Sequence, residues 1–117
     1  MEKSYIEIAG KRYRVECNWN AYAEFLRMSG RDSMSELVAV VGELRPSDTA
    51  GLMAASINEG ERLDGRESHW TAESIGETAN VLEIAQFIRI YSDQATAKIP
   101  ADADGKKKEE TQLGAGE

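Results

Sequence analysis

The stretch from Tyr5 to Val15 limits the fold more than any other part of the chain. Tyr5-Ile6-Glu7-Ile8 and Tyr13-Arg14-Val15-Glu16-Cys17 alternate apolar and polar residues around Ala9-Gly10-Lys11-Arg12, which reads as strand, tight turn, strand. A two-residue Gly10-Lys11 loop, with Gly10 at the positive φ of a type II′ turn, opposes Ile8 to Tyr13 and Ile6 to Val15. Four apolar side chains then share one face. A three-residue loop would oppose Ile8 to Arg12 and split that face, so the pattern selects the shorter loop. A lone hairpin is marginal in water. Its apolar face must therefore lie on the rest of the chain.

The rest reads as helix. Asn18 is placed as an N-cap, and Trp19, Tyr22, Phe25 and Leu26 follow at helical spacing before Gly30, an aromatic stripe expected to form core beneath the hairpin. Ser33-Met34-Ser35-Glu36 has the form of a capping box and opens a helix with Met34, Leu37, Val38, Val41 and Leu44 on one side. Pro46 ends that helix or begins the next, in which Ala50, Met53, Ala54 and Ile57 share a face up to Gly60. Residues 60 to 70 lack apolar periodicity and read as a loop. Thr71 caps a fourth helix running to about Ala97, with Glu73 complementing its positive end. In it Val81, Ile84, Ala85, Phe87, Ile88 and Tyr91 form the broad face of a central helix, and Ile75, Ala79, Leu82 and Ile90 form a second stripe. A helix apolar on two sides is buried on both or keeps one for a partner.

The expected fold class is thus α+β and predominantly helical, with a two-stranded hairpin packed on a bundle of about four helices over residues 1–97. Residues 98–117 contain Pro100, three glycines and three consecutive lysines but no aromatic residue, and are expected to be a disordered polar tail.

Charge and chemistry narrow the function. The chain of 117 residues has 14 basic and 21 acidic side chains, which argues against a partner held by phosphate contacts. The tail holds four basic and five acidic groups, leaving 10 and 16 in residues 1–97. No stretch approaches the ~18 apolar residues of a membrane span, and no apolar run of signal-peptide length opens the chain. Cys17 is the only cysteine and His69 the only histidine, too few for a zinc site. Cys17 is expected on the inward face of the second strand as a small buried hydrophobe, and His69 as a loop residue beside Trp70. Glu73 and Glu77 are one helical turn apart and read as a solvated face. Gly10-Lys11 and Gly105-Lys106 lack the spacing of a phosphate loop. No catalytic constellation, metal or cofactor is expected, so binding is the default class.

The order of features carries a resemblance. Tyr5-Ile6-Glu7-Ile8-Ala9-Gly10-Lys11-Arg12-Tyr13, then Asn20-Ala21-Tyr22-Ala23-Glu24-Phe25 and Gly30, resemble the small tail assembly chaperones of long-tailed bacteriophages and prophages. Ala54-Ala55-Ser56-Ile57-Asn58-Glu59-Gly60 and Trp70-Thr71-Ala72-Glu73 continue the likeness, which covers roughly residues 4 to 97. It implies a non-enzymatic helical protein in the host cytoplasm that keeps the tape-measure protein soluble and recruits tail-tube subunits. It also implies a longer frameshifted form, for which the codons of Gly105-Lys106-Lys107-Lys108 are one candidate position; a plain polar tail is the other reading. The expected contact surface is Ile75, Ala79, Leu82 and Ile90, with Met53 and Ile57 in a lesser part, and the hairpin edge leaves pairing with another copy open. The alternative is a small helical regulator, repressor-like or antitoxin-like. Against a DNA-reading helix, the third helix offers Asp48, Thr49, Asn58 and Glu59 where basic residues would be needed.

Overall fold

The computed structural model describes residues 3–97. The chain is α+β and predominantly helical, in the order β1 (Ser4–Ile8), β2 (Lys11–Val15), α1 (Trp19–Met28), α2 (Met34–Gly42), α3 (Pro46–Leu63), α4 (Ala72–Thr78) and α5 (Val81–Ala97). The expected polar tail, with the Gly105 to Lys108 run, lies outside the described residues.

In the hairpin Ser4 opposes Val15, Ile6 opposes Tyr13 and Ile8 opposes Lys11. The turn is Ala9-Gly10 rather than Gly10-Lys11, and both residues have positive φ, 52° and 81°, as a type I′ turn requires. The loop keeps two residues and the pairing moves by two, so the same four side chains still share a face. Ile6, Ile8 and Val15 are buried and Tyr13 is half-buried.

That face lies on α3, the helix at the centre of the molecule. Gly51 to Ile57 are all buried, and α3 continues three residues beyond Gly60, where the sequence suggested its end. Gly60 is instead the point at which helix and strand backbones cross. A Cβ there would stand 2.3 Å from the Arg14 carbonyl oxygen. This approach lets the Glu16 N–H donate to the Ser56 carbonyl at 3.0 Å and the Arg14 N–H to the Glu61 carboxylate at 2.9 Å. The helix thereby satisfies donors that an unpaired strand edge would leave open.

The N-caps are where the sequence puts them. Asn18 accepts from the Ala21 N–H at 3.0 Å, and Ser33 and Glu36 form the reciprocal capping box of α2. The faces differ. In α1 it is Ala21 and Phe25 that meet α3, the Phe25 ring lying against Gly51. Trp19, on the far side of the helical wheel from them, is exposed and not core. In α2 only Leu37 and Val40 are buried, while Met34, Val38 and Val41 face outward.

The expected fourth helix is two. α4 ends at Thr78, Ala79 is extended, and Asn80 starts α5. The Asn80 side chain accepts from the Glu83 N–H at 2.8 Å while the Glu83 carboxylate accepts from the Asn80 N–H at 2.9 Å. Each group satisfies a donor that helix geometry leaves unpaired, so the break is a second start signal. Glu83 also accepts from the Ala9 N–H at 3.3 Å, fastening the hairpin turn to α5.

Two side-chain amides act as pieces of backbone. Gln94 of α5 donates to the Val15 carbonyl at 2.9 Å and accepts from the Cys17 N–H at 2.7 Å. Asn58 of α3 does the same for both main-chain groups of Trp70, each at 2.9 Å. The loop after α3 is held through this amide and through the edge-on contact of Trp70 with Tyr13.

Candidate interaction surfaces

Charged side chains gather where the hairpin crosses the end of α3. Arg14 donates to Asp64 at 2.7 Å and to Glu16 at 3.3 Å. Arg66 donates to both oxygens of Glu61, at 2.8 and 3.1 Å, and to Asp64 at 3.1 Å. The Arg66 hydrogen bonds hold the Glu61 carboxyl below its usual range against the opposing effect of burial, and Arg14 does so for Asp64. Glu59 is lowered first by Arg62 and then by Asn18 and Asn20. A carboxylate committed to a permanent guanidinium is a poor proton acceptor near neutrality, so this cluster joins elements rather than moving protons.

The concave surfaces are similarly occupied. A cleft of about 520 Å³ opens between α1, α3 and the following loop, with Ala23 and Ala55 in its wall and Arg27, Arg62 and His69 around it. Arg27 is bound to Glu24 and Arg62 to Glu59. A groove of about 310 Å³ sets Phe25, Met28 and Ala72 beside Asp48 and Glu73, and Asp48 is taken by Arg31 at 3.1 Å. His69 is an exposed loop residue beside Trp70, as expected. Cys17 is buried just past β2, its Sγ 3.4 Å from the Ser56 hydroxyl. Glu73 and Glu77 are exposed on α4. Among the described residues no three His, Cys, Asp or Glu side chains are grouped to hold a metal ion, and no helix is long and apolar enough to cross a membrane.

The residues expected to form one contact stripe are dispersed. Met53, Ile57 and Ile75 are fully buried in the core, and Ala79 and Ile90 are half-buried against it. They are not a free surface, because α3 is enclosed on all sides and the break at Ala79 turns α4 so that Ile75 points inward. Leu82 alone stays open, 79% exposed, and Val81, expected in the core, stands beside it at 80%. The Asn80-x-x-Glu83 capping pair was the signal for this, since it places Val81 and Leu82 in a first helical turn.

A second uncovered patch lies on α2, where Met34, Val38 and Val41 are 57%, 64% and 45% exposed. Their spacing of i, i+4 and i+7 makes them a stripe. The sequence grouped these three correctly but placed them with Leu37 in the core. The two patches differ in charge. The only ionisable residues from 72 to 88 are Glu73, Glu77 and Glu83, whereas α2 carries only Glu36, turned back onto the Asp32 and Ser33 N–H groups. Compared with protein-family models, with curated proteins and with solved structures, the chain matches none.

Proposed function

We propose that the protein is a tail assembly chaperone of the long-tailed phage type, which binds helices of a tape-measure protein, keeps them soluble and recruits tail-tube subunits in the cytoplasm of the bacterial host. The observation that carries this reading is the pair Val81 and Leu82, two large apolar side chains left in solvent at the start of α5. An amphipathic helix laid on a surface needs such an apolar anchor. The carboxylates Glu73, Glu77 and Glu83 in the same stretch suit a client helix with basic flanks.

The test is co-expression with the long helix-rich protein encoded beside it. The client is expected to be insoluble alone, soluble with this chain and retained by it on a column. The double variant V81D/L82D places aspartates where a helix N-terminus favours them, so circular dichroism should be unchanged while binding weakens about tenfold or more. Full rescue by the double variant would sink the assignment of this surface. A neighbour that is soluble alone and does not bind would sink the chaperone reading and favour the small helical regulator.

A further inference from the structure

We infer that the outer face of α2 is where two copies of this chain meet, in an antiparallel pair centred on Val38. This inference does not depend on the chaperone reading. Met34, Val38 and Val41 form an exposed apolar stripe, and Ser35, Ala39 and Gly42, also exposed, run beside it at the same spacing. In an antiparallel pair about a two-fold axis at Val38, Met34 of one copy meets Val41 of the other and Val38 meets its own equivalent. The adjoining serine, alanine and glycine have no bulk to hold the helices apart.

Charge says why the occupant is a second copy. Residues 1–97 hold 16 acidic against 10 basic groups, so two copies repel wherever their ionisable faces meet. The α2 face has no ionisable group, because Glu36 is bound to the main chain at the start of its own helix. The surface around Val81 and Leu82 is the opposite case, where a second copy would set carboxylates against carboxylates. One nine-residue helix per copy covers less than the ~800 Å² per partner of a standard interface, so the pair is weak, with a dissociation constant on the order of 10–100 μM.

The test is sedimentation velocity on the full chain from about 5 μM to about 1 mM. The wild type is expected to pass from monomer to dimer across this range. V38E, which puts two carboxylates on the axis, should raise the dissociation constant at least about tenfold and leave the thermal transition in place, since Val38 is exposed. V38C should cross-link to itself under mild oxidation, and V81C should not; Cys17 is buried and does not compete. A wild type that stays monomeric up to about 1 mM overturns the proposal. A dimer indifferent to V38E, or a V38C protein that does not cross-link, overturns it equally. V81D/L82D should leave the dimer intact, and V38E should leave client rescue intact, so the two surfaces fail separately.

Discussion

Of the nine residues of α2 only Glu36 is ionisable, yet Met34, Val38 and Val41 stand in solvent; α3 carries Asp48, Glu59, Glu61 and Arg62 and is buried through its middle. The difference lies in side-chain size and in partners for charge, not in average polarity. Small residues at Gly51, Ala54, Ala55, Ser56 and Gly60 let the hairpin and the neighbouring helices come close to α3, and arginines and amides from those neighbours meet its carboxylates. α2 has branched side chains on two adjoining faces but touches the core only through Leu37 and Val40. Polarity that is answered can be buried, and apolar surface without a neighbour inside the fold is left for one outside it.

The largest test of this contrast is G60A. With no backbone able to retreat from a Cβ at 2.3 Å, the substitution should cost about 3 kcal/mol or more in urea unfolding. A cost under about 1 kcal/mol would mean that the crossing is looser than described. Next, I57A in α3 should cost about 3 kcal/mol, and V41A in α2 no more than about 0.5 kcal/mol. Equal costs would erase the distinction between the two helices. S33A removes the α2 cap and should cost about 1 kcal/mol. Faster amide exchange confined to α2 would show that this helix opens by itself, and exchange spread over the whole chain would show that it does not.

The smallest effect concerns pH. The Glu61 and Asp64 carboxyls are held below their ordinary values of 4.5 and 3.8 by Arg66 and Arg14. A depressed folded-state pKa contributes stability that is complete above the ordinary carboxylate range and is lost as pH falls through the folded-state values. Acidification from about pH 5 to about pH 3 should therefore lower the melting temperature, and E61Q should flatten that slope. Arg66 is half-exposed, so solvent screening keeps the change modest. An unchanged slope in E61Q would place the acid sensitivity elsewhere.

Much of the local structure was legible. Asn18, Ser33 and Thr71 cap the helices they were expected to cap, Pro46 sits in the first turn of α3, and Cys17 is buried. These signals act between neighbours in sequence and need no tertiary context. Asn80-x-x-Glu83 is a signal of the same kind, and passing over it merged α4 with α5 and linked Ile75 to Leu82 in one stripe. The hairpin register was displaced by two because both registers keep Ile6, Ile8, Tyr13 and Val15 together; the preference of a two-residue turn for two positive-φ residues decided between them.

The sequence by itself determined where helices start, that two strands precede them, and which residues have apolar neighbours one turn away, because capping and periodicity are short-range physics. Only the tertiary structure decided that α3 is the hub, that Met53 and Ile57 are core, and that Val38 and Leu82 are surface. Periodicity shows that a helix has an apolar face but not which of its faces finds a neighbour, and that choice rests on close approaches such as Gly60 against Arg14, between residues far apart in the chain.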